Sequence, residues 1–342
     1  MGEVMRLGLV GYGAGGRLFH APYIRAVPEI ELLGVVTRNP ERRGEVATDL
    51  PGVAVFDSLG DLLDADVDAV TITTPPDTRR ALVLEAVDRG VHVIADKPFA
   101  PDAAGGRELA AAADSAGVLL SVFHNRRWDT DLRTLSGVLA GLGTVWRCES
   151  RFDLNEPGSL DAGPSGGLLR DLGAHLVDQM LWLFGPVETV SAHLDWVDQH
   201  RGRTDCGFSV SMTHASGVFS TVSASKINHV AARQWRVYGA EGSYVSDGTD
   251  VQTDQIKQGL RPVGDLATWG HERPDRLGVL YTADGAQTVP SAQGRYDEFY
   301  RQFAAAVDRQ GPQPVPAREA IATLEVLDAA RASATGGVTV RL

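Results

Sequence analysis

The sequence predicts two domains: a doubly wound, parallel α/β sheet in the N-terminal third, then an α+β domain with a mainly antiparallel, open sheet. Three observations carry this. The chain has 342 residues, more than one hydrophobic core ordinarily serves. From residue 5 to about residue 123, short runs of apolar β-formers alternate with helix-length segments, the pattern of parallel strands joined by crossover helices. From about residue 143 the stretches become strand-like, and several alternate apolar with polar residues.

The elements follow in order. MRLGLV (5–10) is an apolar strand that meets GYGAGG, and a helical stretch follows. ELLGVVTR (31–38) and DAVTITTP (68–75) are strands. DTRRALVLEAVDRG (77–90) is a helix, with Gly90 at the C-terminal position that glycine favours. VHVIAD (91–96) is a strand, DAAGGRELAAAADSAG (102–117) a helix closed by Gly117, and VLLSVF (118–123) a strand. In such sheets ligands sit beyond the carboxyl ends of the strands. Three of those ends carry candidate residues: Thr74 to Pro76, Asp96 with Lys97, and His124 to Arg127.

In the second part TVWRCESRFD, VETVSAHLDW, GFSVSMTHA, GVFSTVSASKI and RQWRVYGAEGSYVSD read as strands, with HASG and GAEG as hairpin turns. The alternation is clear in Phe208, Val210 and Met212, and in Val218, Ser220 and Val222. One helix is inserted early, GGLLRDLGAHLVDQMLWLFGP (166–186), which stops at Gly185-Pro186. Two helices close the chain. In RYDEFYRQFAAAVDRQG (295–311), Phe299, Phe303 and Val307 line one face; the other is AREAIATLEVLDAARASA (317–334). PSAQG and GPQPVP read as loops.

Composition excludes several classes of function. Lys and Arg number 32 against 44 Asp and Glu, a net charge of −12, which argues against nucleic acid or an anionic membrane as partner. No apolar stretch approaches 18 residues, so no membrane span is expected. The start, MGEVMRLGLVGYG, does not read as a secretory leader. Cys148 and Cys206 have no metal-type spacing and fit a reducing compartment. A cytoplasmic protein is expected.

Gly11-Tyr12-Gly13-Ala14-Gly15-Gly16 follows a strand, precedes a helix and begins a series of βα units, the context that gives G-x-G-x-x-G its meaning. Gly11 permits the tight turn, Gly13 lets a pyrophosphate approach the backbone, and Gly16 allows close helix–sheet packing. This is a Rossmann dinucleotide site. At the end of the second strand an NAD site usually carries an acid for the ribose 2′-hydroxyl. Here the residues are Val36-Thr37-Arg38-Asn39, with Arg42 a helical turn after Arg38 and no acid before Glu41. A hydroxyl and a guanidinium suit a 2′-phosphate, so NADP is expected in preference to NAD.

The inserted helix carries the other chemistry. Leu169, Leu172, Leu176 and Leu183 form an apolar stripe, while Asp171 and His175 share a face with Asp178 a turn further on. A metal is rejected because nothing suggests a third or fourth ligand. Gly166 and Gly167 just before the helix allow close approach of a ligand.

Together GYGAGG, TTPP, ADKPF and GGLLRDLGAHLVD show that the chain resembles the Gfo/Idh/MocA oxidoreductases over essentially its whole length. GRLFHAP, HNRRWDTD and QGRYDEFY are similar to the branch that holds NADP-dependent scyllo-inositol dehydrogenases. The resemblance implies a Rossmann domain over residues 1–124 and a substrate-binding and oligomerisation domain over 125–342, with the nicotinamide between them and the final helices able to pack back on the first. It implies a catalytic set of Lys97, Asp171 and His175, and a cis Lys97–Pro98 bond. Cofactor contacts are then expected from Gly11, Tyr12, Gly13, Ala14, Gly16, Thr37, Arg38, Arg42, Thr74, Pro75, Pro76, Asp96 and Lys97. The chain departs from the family in two places. Arg79 stands where a histidine is common, and Asp96 replaces the commoner glutamate.

The residue chemistry agrees. Oxidising a secondary alcohol needs a hydride acceptor and a destination for the hydroxyl proton. His175 suits the acid/base role, Lys97 can stabilise the developing alkoxide or relay a proton, and Asp171 can hold the imidazole or a substrate hydroxyl. Arg127 and Trp128 are candidate walls of a sugar or polyol site, and His20 reads as structural. A homodimer or homotetramer through the open face of the second sheet is expected. Two rival readings stand beside this one, a reductase of another carbonyl or imine and a catalytically silent NADP-binding regulator. Retention of Lys97, Asp171 and His175 together disfavours the regulator.

Overall fold

Met5–Val10 (β1) buries every residue except Arg6, as a strand covered on both faces must. In the computed structural model, which describes residues 4–161, 166–200, 202–264 and 266–342, β1 lies inside a six-stranded sheet. Its companions are Ile30–Val36 (β2), Ala54–Phe56 (β3), Ala69–Ile72 (β4), His92–Ala95 (β5) and Leu120–Val122 (β6). The order is β3-β2-β1-β4-β5-β6 with every pair parallel. The winding therefore reverses between β1 and β4, the switch point at which such sheets take ligands.

The crossovers begin where the sequence supplies caps. A π-helical turn, Gly15–His20, runs into a short helix, Ala21–Ile24 (α1). Pro40–Asp49 (α2) starts with proline, and the Asn39 side chain accepts from the N–H groups of Glu41 and Arg42. Leu59–Leu63 (α3) is capped by Ser58, and Ala103–Ala116 (α5) by Asp102; between them lies Pro76–Asp88 (α4). β3 and α3 escape the sequence pattern because three and five residues are too few to show a period.

The second sheet has nine strands among the described residues. They are Val145–Asn155 (β7), Val187–Gln199 (β8), Gly202–His214 (β9), Phe219–Ser225 (β10), Ile227–Gly239 (β11), Gly242–Asp247 (β12), Val279–Thr282 (β13), Gly285–Thr288 (β14) and Val340–Arg341 (β15). The order is β14-β13-β12-β11-β7-β10-β9-β8-β15. Only β7 with β10 is parallel; all other pairs are antiparallel. Phe208, Val210 and Met212 of β9 are buried while Ser209 is exposed, and Ser220, Val222 and Ala224 of β10 follow the same alternation. Thr130–Val138 (α6), Leu168–Phe184 (α7) and Val251–Lys257 (α8) are helices of this part.

α7 packs on β9 and β10, and most of it is buried, His175 and Asp178 included. Its N-terminal end has no cap in the local sequence, because Gly167 sits there at φ +99°. Asp205 of β9 supplies the acceptor instead: Oδ2 takes the Leu169 N–H at 2.6 Å and Oδ1 lies 3.3 Å from Arg331. A Cβ on residue 167 would stand 2.1 Å from Asp205 Oδ1, so glycine is required both for the backbone angle and for this approach.

Two helices end the chain, Asp297–Val307 (α9) and Ala317–Gly336 (α10). The chain divides into two compact units. The first runs to Asn125 and takes in Gly259–Ala267 and Tyr296–Ile321; the second takes the remainder. In the first unit Phe299, Tyr300 and Phe303 of α9 are wholly buried, and Phe299 meets Phe123 edge-on at 4.9 Å. The segment before α10 lies along β6, with the Val122 N–H donating to Val315 O at 3.0 Å and a bridge between Ser121 and Pro316.

Since Asp205 caps α7 from outside the helix, Asp205→Ala is expected to cost about 1–3 kcal/mol, read as a lower unfolding midpoint in urea. Asp205→Asn keeps an acceptor and should cost less. Equal and negligible losses would show that α7 does not need this cap.

Candidate active site

The glycine loop is built for a close approach. Gly11 has φ +100°, and its N–H donates to Val36 O at 3.1 Å. Thr73 Oγ1 donates to the carbonyls of Val10 and Gly11. A Cβ on Gly16 would lie 2.3 Å from Gly11 O, whereas one on Gly13 would meet nothing within 4 Å. The third glycine therefore serves helix packing and the second faces open space, the arrangement a pyrophosphate needs. These residues fit a dinucleotide. Ala14 precedes the π-helical turn. The Tyr12 ring is buried, and its hydroxyl donates to Asp49 Oδ2 at 3.2 Å. Burial and the Asp49 charge push the phenol well up.

At the end of β2, the Thr37 N–H donates to Phe56 O. Arg38 is exposed and makes no hydrogen bond or ion pair among the described residues. Arg42 Nη1 pairs with Glu45 Oε2 at 2.7 Å, and Glu45 also takes Arg17. The strand therefore ends in one exposed guanidinium and one that a carboxylate orients. Glu41, the first acid, has its N–H on the Asn39 cap.

Lys97 follows β5, and the Lys97–Pro98 bond is cis. Its N–H donates to Asp96 Oδ1 at 2.7 Å. Arg79, buried on α4, donates from Nη1 to the carbonyls of Asp96 (2.8 Å) and Pro98, and from Nη2 to Thr74 O at 2.6 Å. It ties together the segments that follow β4 and β5. Thr74, Pro75 and Pro76 are thereby fixed at the start of α4, with Pro76 its first residue. His20 is also buried. Its Nδ1 lies 2.6 Å from Tyr300 Oη and its Nε2 3.6 Å from Asp96 Oδ2. Burial pushes the Asp96 carboxyl up. The hydrogen bond from His20 and the charges of His20, Arg79 and Lys97 outweigh that and hold it down to about 2.

In the second unit, Asp171 lies in the first turn of α7 and His175 one turn later. Asp171 Oδ2 accepts from Lys226 Nζ at 2.7 Å. Arg127 forms a bidentate, buried pair with Asp178, Nε to Oδ2 at 2.8 Å and Nη2 to Oδ1 at 2.6 Å. Its fork is thus taken up by Asp178. The Trp128 ring is buried, and its carbonyl accepts from the Arg295 N–H and from Gln252 Nε2.

Three participants lie outside the sequence-derived set. Arg79 and His20 gave no signal of their tertiary partners. Lys226 could have been found, because it continues the inward series of Val218, Ser220, Val222 and Ala224, where a lysine is out of place. Among the described residues no group of His, Cys, Asp and Glu could hold a metal ion, and no helix is long and apolar enough to cross a membrane.

Comparison with known proteins matches both parts of the chain. A family model described as an oxidoreductase family with an NAD-binding Rossmann fold covers residues 5–124, and one for the C-terminal alpha/beta domain of that family covers 138–342. An uncharacterised Escherichia coli oxidoreductase, YdgJ, is 36% identical over 96% of each chain. The Bacillus subtilis NADP-linked scyllo-inositol 2-dehydrogenase IolW is 29% identical over 99% of this chain and 96% of its own. The solved structure of the B. subtilis oxidoreductase YvaA superposes with a TM-score of 0.91 at 28% identity, covering 99% of each chain.

The depressed Asp96 carboxyl has a consequence for stability. Its ionised form stabilises the fold above about pH 4, the unfolded value, and this contribution is lost as pH falls toward 2. Asp96→Asn is expected to cost about 2 kcal/mol at neutral pH, with the gap to the unsubstituted protein closing between about pH 4 and pH 2. Urea unfolding across that range checks it, and a gap that stays constant would contradict it.

Proposed function

The chain belongs to the Gfo/Idh/MocA family of oxidoreductases, and on that premise we propose that it interconverts a secondary alcohol and a ketone on a sugar or polyol, with NADP preferred to NAD. The observation that carries this reading is the presence of Lys97, Asp171 and His175 together on that scaffold, which a binding protein without catalysis would not need. The full-length likeness to an NADP-linked inositol dehydrogenase supports a ring polyol as the substrate class.

The dinucleotide, when bound, supplies the two-electron acceptor. Gly11, Gly13, Gly16 and the backbone of Tyr12 and Ala14 hold its pyrophosphate. Thr37, Arg38 and Arg42 bind the 2′-phosphate, and Thr74, Pro75, Pro76 and Asp96 complete the binding surface. The imidazole of His175 takes the proton from the reacting hydroxyl, the Lys97 ammonium stabilises the negative charge that develops on that oxygen, and Asp171 holds a substrate hydroxyl. Arg127 and Trp128 belong to the polyol wall, Arg127 by fixing Asp178. The two cysteines are free and buried, which supports a cytoplasmic setting. A homodimer or homotetramer through the open face of β7–β15 completes the proposal.

A panel of sugars and polyols assayed with NADP and with NAD tests the substrate class. Arg38→Ala combined with Arg42→Ala is expected to weaken NADP binding about tenfold or more while changing NAD little. Equal losses for both would remove these arginines from the 2′ position.

His175→Asn is expected to lower kcat by about 10²–10⁴-fold with cofactor affinity nearly unchanged. Asn and His have similar helix propensities, so a melted helix would not explain the loss. A fully active variant would move the proton transfer to Lys97.

A further inference from the structure

Lys226 lies at the junction of β10 and β11, and the alternation of β10 turns it inward. Its backbone is fixed on both sides, the N–H donating to Cys206 O at 3.0 Å and the carbonyl accepting from Glu156 N–H at 2.8 Å. Its side chain is 8% exposed, against 41% for Asp171. Among the described residues the ammonium has two acceptors, Asp171 Oδ2 at 2.7 Å and Ser159 O at 3.2 Å, yet it carries three N–H donors. Burying an ammonium is costly unless its donors are used. Asp171, one turn before His175, is the more solvent-exposed partner, and a carboxylate offers about four acceptor sites.

We propose that Lys226 is a substrate-binding residue that works with Asp171 as a donor–acceptor pair for a vicinal diol. Asp171 accepts from one hydroxyl, and the third N–H of Lys226 donates to the oxygen of its neighbour. The charges of the pair cancel. The subsite therefore favours a neutral polyol over a sugar acid, whose carboxylate would face Asp171. This rests on the reading of the enzyme as a polyol dehydrogenase and extends it to a residue and a pattern of hydroxyls.

The test measures equilibrium binding by calorimetry to the enzyme loaded with NADPH, together with KM. The probe is scyllo-inositol, or the panel polyol of lowest KM if that is another. Lys226→Met is expected to weaken polyol binding about tenfold or more, with NADPH binding held within about twofold. Lys226→Gln keeps an N–H donor and should lose less; it also serves if Lys226→Met does not fold. In an Asp171→Asn background the lysine substitution should still weaken binding, since Lys226 touches the polyol itself. Three results would overturn the proposal while leaving the polyol reading intact: unchanged polyol binding by both lysine variants, a loss that vanishes in the Asp171→Asn background, or D-gluconate binding more tightly than its neutral counterpart. A wild-type enzyme inert to every polyol would overturn both.

Discussion

Where a parallel sheet stops to leave room for a ligand, the segments leaving its strands lose their ladder partners, and buried carbonyls there must find donors elsewhere. Arg79 meets that constraint here. One guanidinium serves the carbonyls of Thr74, Asp96 and Pro98, so the exits from β4 and β5 cannot move independently. Burial disfavours the Arg79 charge, and these charge-assisted bonds and the Asp96 carboxylate counter it in part. With the Lys97 N–H on Asp96 and the Pro98 carbonyl on Arg79, the backbone of the lysine is held on both sides.

The second unit solves the complementary problem. A helix that brings polar groups into a buried position leaves its first N–H groups without partners. Asp205 supplies one acceptor across the sheet, and Gly167 makes room for it. The turn Asn125–Trp128 is immobilised in the same manner. Arg126 is held by Asp129 and Asp250, and Arg127 by Asp178. Asp205, Asp250 and Asp178 thus reach from distant parts of the sequence to hold segments next to candidate residues. Preorganisation of that kind is what lets a site act on charge as it develops.

The sequence showed the parallel strands well, because buried βα units leave apolar runs bounded by glycine and proline. It showed α7 and its polar residues, and it showed the alternation of β9 and β10. Short elements were silent: β3, α3, and the hairpin of β13 and β14 have too few residues for a period to emerge. The parallel pairing of β7 with β10 was not readable either, since pairing partners depend on topology and not on local pattern. The same holds for the site. Lys97, Asp171 and His175, the proposed catalytic set, stand in motifs that the sequence itself displays. The contacts of Arg79 and His20 depend on residues such as Pro98 and Tyr300, far away in the chain, and no local spacing encodes them. Lys226 is the intermediate case, visible only once β10 is assigned an inward face.

The segment along β6 has a further effect. An outermost strand with unused N–H and C=O groups is a template on which another chain can build. Here the stretch Gly311–Pro316 occupies that position, and three of its six residues are proline. It contributes the Val315 carbonyl to β6, but Pro312, Pro314 and Pro316 have no N–H to offer outward. The sheet is closed on that side by a strip that accepts one neighbour and refuses the next, which protects the molecule from edge-to-edge aggregation without any additional strand.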